Sequence, residues 1–563
     1  MNTKSHLLPI PGQMKTSAVD ESVTMDNTLA SKEEMVSRNR PEDLEWLRDA
    51  GLGLFIHWSL DSQLGCVISH SLVGASKDYV DRFYEELPKT LNPKKWDFDH
   101  LAELARLAGF QYAVFTTKHH NGFCLWDSRT TDFNIMNTPY GKDLVKQYAE
   151  AFRKQGIKVG LYFSPEDFRY LRSQGLTITR TPLEPYSKEV MEGYRQLLTD
   201  QMTELMTNFG KIDVMFFDGG ETMYNEEGES LQQLCMRVAW DLQPGILITR
   251  GAIPTPEQQL PGVGVDFAWE GCITLGTAWQ YQPTNETYKT GLHVIRLLTE
   301  TRAKGGSLLL NIGPDANGEL CRAQEDIIRE LALWHFLNHE AIHNTRPWII
   351  TNEDSAWLLR SKDGNALYAV LFDQKDWDRG QRREFLLKSV KASPDTVVEV
   401  LGQTGELTEY RPDLDAHTYW EQREDGLHIS AMHAQRIYCG IQWRNPLVLK
   451  ITHPIPAFSP LLVETENDRL TQDTSSVTLF AKVDTLGSFE SARLAFDFRE
   501  YPGFALSSYE TGWQRLPEQT VSVPGIYSYT LKGLKPGITY QYRAVLFNES
   551  NTMRGEMNLF VKE

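Results

Sequence analysis

KIDVMFFDGG, residues 211–220, decides the fold. Its centre, VMFF, is apolar on both faces of an extended chain. Both faces then need cover, which is how strands of parallel sheets are built. An aspartate and two glycines close the run. YRQLLTDQMTELMTNFG (194–210) precedes it, with apolar residues at helical spacing. The same unit recurs in both directions. Upstream lie LGLFIHWS (52–59), YAVFTTKHHNGF (112–123) and IKVGLYFSPED (157–167); downstream lie ILITRG (246–251), DFAWEG (266–271) and SLLLNIGPDANG (307–318). Helical stretches separate them. The alternation predicts a parallel α/β sheet, and the span 41–345 suits a (β/α)8-like barrel. A doubly wound open sheet is the alternative, disfavoured because no glycine-rich dinucleotide loop follows the first strand.

After TRPWIITNED (345–354) the pattern shifts to short strands separated by turn residues, as in ALYAVLFD and VVEVLG. This predicts a β-sandwich over 346–445. The remainder, 446–563, contains YSYTLKGLKPGITYQYRAVLF and resembles a fibronectin type III-like module. Residues 1–40 read as irregular, and no apolar signal-peptide core is visible in them.

Composition narrows the function. The 563 residues carry a formal charge of −18, which repels phosphate backbones and makes nucleic acid an unsuitable partner. No apolar run reaches the roughly 20 residues that span a bilayer. The six cysteines, at 66, 124, 235, 272, 321 and 439, form no CxxC pair, so neither a zinc site nor a disulfide framework is expected.

The C-terminal ends of the expected strands carry His57, His119, His120, Tyr162, Asp218, Arg250 and Glu270. Barrel active sites lie at that end. Asp218 suits a nucleophile at an anomeric carbon, with Gly219 and Gly220 allowing close approach; a helix-capping role is the competing reading. Adjacent histidines on a strand face opposite ways, which argues against a shared metal, although a turn at the strand end would let both reach one pocket. Neither metal nor cofactor is expected.

GLFIHWS, FTTKHHNGFCLWDS, GLYFSPED, VMFFDGG, TRG…TPEQ and KGGSLLLNIGP, in that order over about 45–350, resemble the motifs of glycoside hydrolase family 29, the α-L-fucosidases. The resemblance implies a retaining exo-glycosidase acting on fucosylated oligosaccharide or polysaccharide, with export to the periplasm or outside the cell. It maps the covalent nucleophile onto Asp218. Sugar-binding groups map onto His57, Trp58, His119, His120, Tyr162 and Arg250, with Trp126 as a wall. The acid/base maps onto Glu257 in TPEQ, with Glu270 in AWEG as competitor. The chain departs from the family after Trp58, where DSQLGCVISHSLVGASKDYVDRFY replaces a Glu-Trp-Tyr segment and offers His70, Ser71 or Asp78 to the pocket. An α-L-galactosidase and a non-catalytic carbohydrate-binding homologue are the alternatives.

Overall fold

The computed structural model describes residues 37–562 except 259, 263, 285, 373–374, 376, 438–444, 474–475 and 502–511. Cys439 lies outside the described residues.

Seven parallel strands form the first sheet: β1 (Leu52–Ile56), β2 (Tyr112–Lys118), β3 (Lys158–Phe163), β4 (Val214–Phe217), β5 (Leu247–Ile248), β6 (Glu270–Thr274) and β7 (Ser307–Ile312). Their order is β5-β4-β3-β2-β1-β7-β6. Alternation sorts the side chains. Leu52, Leu54 and Ile56 face the helices, while Phe55 joins Tyr112, Tyr162, Phe216, Leu247, Cys272 and Leu309 in an inner cluster. That cluster holds residues from β5 and β6, the two edges of the sheet, so the sheet curls and both edges face one interior.

The expected eightfold ladder is not formed. Between β5 and β6 runs an irregular segment. Its Pro254 and Pro256 carbonyls accept the N–H groups of Glu270 and Cys272 at 3.1 and 3.0 Å, and the Gln258 N–H donates to the Cys272 carbonyl at 3.0 Å. The two prolines explain why no regular strand forms: they have no N–H to give to a ladder.

Helices cover the sheet. At Ser76, Asp97, Asp143, Asp167, Ser187, Ser230 and Thr290, a side-chain oxygen accepts the N–H three residues on. Each such cap contributes about 1 kcal/mol. The helix Lys188–Asn208 is the one read beside KIDVMFFDGG.

The rest of the chain is antiparallel. Strands 345–353, 356–361, 366–371, 447–452 and 398–400 form a five-stranded sheet in that order. Residues 447–452, which the sequence pattern groups with the last module, pair with 366–371 and 398–400 and so lie inside this sheet. Two further sheets, built on 462–472, 476–485 and 525–532 and on 492–500 and 539–547, enclose a separate core including Leu479, Phe496 and Tyr542. Arg302 ties the first sheet to the start of the antiparallel region. Its buried guanidinium donates to the carbonyls of Ile342, Gly306, Arg48 and Thr345 at 2.5–3.1 Å. Among the described residues, no helix is long and apolar enough to cross a membrane.

His335 and His343 meet through their Nε2 atoms at 2.7 Å, and His343 Nδ1 donates to the Ala50 carbonyl at 2.7 Å. One proton lies between the two Nε2 atoms, so the two rings cannot both carry a proton there. Burial lowers them to about 3 and about 4. The unfolded chain, titrating near 6.5, takes up these protons first. Stability should therefore fall as pH drops from about 6.5 towards 4, by about 3 kcal/mol at most for each ring. His335→Gln should flatten this slope in melting curves recorded between pH 7 and 4.5. An unchanged slope would mean that the pair carries none of it.

Candidate active site

Asp218 is the first residue past β4. Its neighbours Gly219 and Gly220 have φ of 86° and 82°, and a Cβ on Gly219 would collide with the Glu166 carboxylate. The turn therefore needs glycine, and it leaves the Asp218 carboxylate at the mouth of the curled sheet. Oδ2 accepts the Tyr162 hydroxyl at 2.7 Å and lies 3.6 Å from His120 Nε2. Oδ1 lies 3.6 Å from both Arg180 and Arg250. Burial alone would raise this carboxyl. Arg250, Arg180, His119 and the Tyr162 hydroxyl outweigh it and hold the group well below the usual carboxylate range.

Three histidines converge here, as the strand ends implied. β2 stops at Lys118, and residues 119–122 turn, with the Gly122 N–H on the His119 carbonyl at 3.0 Å. Strand alternation ends there, so His119 and His120 share one pocket, their rings 4.2 Å apart. His119 Nδ1 contacts Ser69 Oγ at 2.8 Å, and its ring stacks on Tyr162. His120 Nδ1 contacts Ser164 Oγ at 2.5 Å. His57 Nδ1 lies 2.6 Å from Asn311 Oδ1, while Asn311 Nδ2 donates to the Trp279 carbonyl. That fixes the amide orientation and makes His57 Nδ1 the donor. Burial depresses all three imidazoles, His57 to about 4.

The two candidate acids lie apart. Glu257 is buried at the seam beside β6, and its Oε2 takes Arg250 at 2.7 Å. One guanidinium thus serves Asp218 and Glu257 together. Glu270 does not end β6; it starts it. It pairs in register with Ser307 at the start of β7 and accepts the Tyr112 hydroxyl at 2.5 Å, Tyr112 being the first residue of β2. That is the strand start, away from the mouth. AWEG reads as the end of a strand because the stretch before it is apolar; that stretch is the approach to the strand.

Both expected tryptophans face away. Trp58 follows inward-facing His57 and so points outward, its indole donating to the Asp315 carbonyl at 2.8 Å. The Trp126 indole donates to Glu204 on the helix Lys188–Asn208 at 2.8 Å. Both are buried between sheet and helices. Beside Tyr162, Trp279 lines the pocket, with its ring 5.0 Å from His57. It lies in an irregular loop after β6, where no periodicity marks it.

Glu166, Arg180 and Ser69 carry no signal in the sequence pattern. Glu166 accepts Arg180 at 2.9 Å and the Gly220 N–H at 3.2 Å, and burial pushes it up to about 8 against the pull of Arg180. Ser69 holds both His119 and the Asn121 N–H. Of the divergent segment, His70 reaches the cluster, its ring 5.4 Å from His120. Ser71 bonds Tyr79 instead, and Asp78 is exposed beside Arg82. His119, His120 and Asp218 bring ligand-type atoms within 4.8 Å of one another. Two guanidiniums already crowd that carboxylate, and their charge opposes a further cation.

Three histidines held neutral by burial and one strongly ionised carboxylate thus gather at the strand ends of a curled parallel sheet, the end at which barrel active sites lie. The profile of the family described as Alpha-L-fucosidase matches residues 18–340. Plasma alpha-L-fucosidase of Rattus norvegicus is 26% identical over 400 residues, 64% of this chain and 84% of that protein. Alpha-L-fucosidase isoenzyme 1 from Paenibacillus thiaminolyticus superposes with a TM-score of 0.58 at 27% identity, covering 73% of this chain and 98% of that one. The alpha-L-fucosidase from Vibrio sp. strain EJY3, at 17% identity, shares the fold over 93% of this chain and 99% of its own, with a TM-score of 0.64. The chain belongs to the α-L-fucosidase family of glycoside hydrolases. Membership implies a fucosylated glycan as substrate.

Burial raises Glu270 to about 7. Its ionisation is therefore resisted in the folded state, and stability should be lost as pH rises from about 4.5 through 7. Glu270→Gln, nearly isosteric, should remove that loss and leave turnover little changed. A collapse of turnover in a stable Gln variant would return Glu270 to the catalytic candidates.

Proposed function

We propose that this enzyme releases terminal α-L-fucosyl residues by a retaining double displacement, with Asp218 as nucleophile and Glu257 as acid/base. The observation that supports this most is the shared guanidinium: Arg250 touches Asp218 on one side and Glu257 on the other. Retaining enzymes need two carboxyl groups about 5–5.5 Å apart across the scissile bond. Glu270 is bonded instead to the Tyr112 hydroxyl at the start of its strand.

In the first step an Asp218 oxygen bonds to the anomeric carbon as the glycosidic C–O bond breaks, and Glu257 gives its proton to the departing oxygen. Asp218 becomes a neutral ester while Glu257 becomes an anion. Arg250, lying between them, turns from one charge to the other. In the second step Glu257 takes a proton from water, the water oxygen bonds to the anomeric carbon, and the bond to Asp218 breaks. His57, His119, His120 and Arg250 hold the sugar hydroxyls, with Trp279 as an apolar wall. In the antiparallel regions we read two accessory domains, the last of fibronectin type III-like form.

Asp218→Asn should leave less than about one hundredth of wild-type turnover on an aryl α-L-fucoside while the melting transition persists. Higher residual activity would remove Asp218 as nucleophile. Glu257→Ala should be severely impaired on natural glycosides and mildly on activated aryl fucosides. Azide should restore its turnover and yield the α-linked fucosyl azide, because it enters from the face opposite Asp218. If rescue fails, Glu257 is not the acid/base. Faster turnover of the matching aryl α-L-galactoside would change the assigned glycone.

A further inference from the structure

The peptide that carries Glu257 is held at two places. The first is β6, through the hydrogen bonds that close the seam. Gln258 then adopts φ 57°, in the left-handed region, and its side-chain amide contacts Thr274. The chain turns away through buried Leu260, and the second hold comes at Gly262, from the far end of the sequence.

There the Gly262 N–H donates to Glu556 Oε2 at 2.9 Å. A Cβ on Gly262 would run into the Gly555 carbonyl oxygen, so the two backbones are in direct contact. The Gly555–Glu556 tip is itself rigid. The Gly555 N–H bonds the Ala544 carbonyl at 2.9 Å, a Cβ on Gly555 would press on Thr465, and Thr465 Oγ1 accepts the Ala544 N–H at 2.9 Å. Met553, two residues before, packs against both antiparallel cores. The tip is anchored in the terminal sheets and presses on the loop five residues past Glu257. Lys304 supplies a charge near the Glu556 carboxylate.

We propose that Glu556 is a positioning residue for protonation of the glycosidic oxygen: the terminal β module fixes, through Gly262, the loop that presents Glu257. The proposal rests on Glu257 being the acid/base. It also gives the terminal module work at the active site through a backbone contact alone among the described residues.

The signature is a leaving-group skew. A displaced acid slows departure of a poor leaving group and hardly affects a good one, whereas general damage slows both alike. In the full-length chain, Glu556→Ala should lose about tenfold in kcat/KM on methyl α-L-fucoside and less than about twofold on nitrophenyl α-L-fucoside, since small misplacements of a catalytic group cost this much or more. Glu556→Gln, which keeps an oxygen to accept the Gly262 N–H, should restore the wild-type ratio. Gly262→Ala, which pushes the contact apart from the other side, should reproduce the skew and decides the matter if Glu556→Ala does not fold. Equal losses on both substrates, no loss on either, or a Gln variant as skewed as the Ala variant would overturn the proposal. Glu257→Ala run alongside separates the two readings. If Glu257→Ala lacks the skew, the acid/base assignment falls. If it shows the skew and the Glu556 and Gly262 variants do not, only the positioning role falls.

Discussion

The structure depends on how its parallel sheet deals with two edges. A curled sheet with β5 at one end and β6 at the other leaves a row of backbone donors and acceptors facing a gap, and buried groups of that kind must be paired. The segment 254–258 supplies the partners for β6 without being a strand. Because it is irregular, it is free to do something a ladder strand could not: it turns a carboxylate, Glu257, towards the Arg250 guanidinium at the mouth. Closure of the fold and presentation of a candidate acid are thus one event. This also explains why the terminal module bears on this stretch, since an irregular seam gains more from an outside hold than a full ladder would.

The electrostatics arise from the same crowding. Asp218, Glu166 and Glu257 lie close to Arg180 and Arg250, in a place where water is scarce. The carboxylates do not behave alike. Asp218 touches two cations and a hydroxyl and stays ionised. Glu166, more deeply buried, is pushed up to about 8. Different environments separate groups of identical chemistry, which is how one pocket holds an ionised carboxylate, Asp218, beside a carboxyl that resists ionisation.

Periodicity makes the strands and helices of the first sheet legible, because VMFF, GLFI and SLLLNI are buried on both faces and nothing else explains such runs. It also makes most strand-end residues legible, since a polar group directly after a buried run has only the mouth to occupy. Direction and closure are what periodicity misses. Tryptophan suits sugars, which puts Trp58 and Trp126 in the expected pocket, yet one-residue alternation sends Trp58 outward and a helix partner captures Trp126. Glu270 falls at the opposite end of its strand from the one expected, because apolar residues before a strand look the same as apolar residues within it. Arg180, Glu166 and Trp279 come from loops or single turns, where a side chain's destination is set by contacts with distant parts of the chain and not by spacing.

The Trp279 carbonyl fixes the Asn311 amide, and that amide fixes the proton on His57 Nδ1. The chain of commitments makes His57 a one-way reader: its other nitrogen offers a lone pair and no hydrogen. A sugar hydroxyl meeting it must give its hydrogen away, and is then left with lone pairs to receive hydrogen bonds elsewhere. The pocket is in this sense grammatical, with at least one position reserved for a donor. A fluorine or methoxy group of similar size at that position would fit the space but not the syntax.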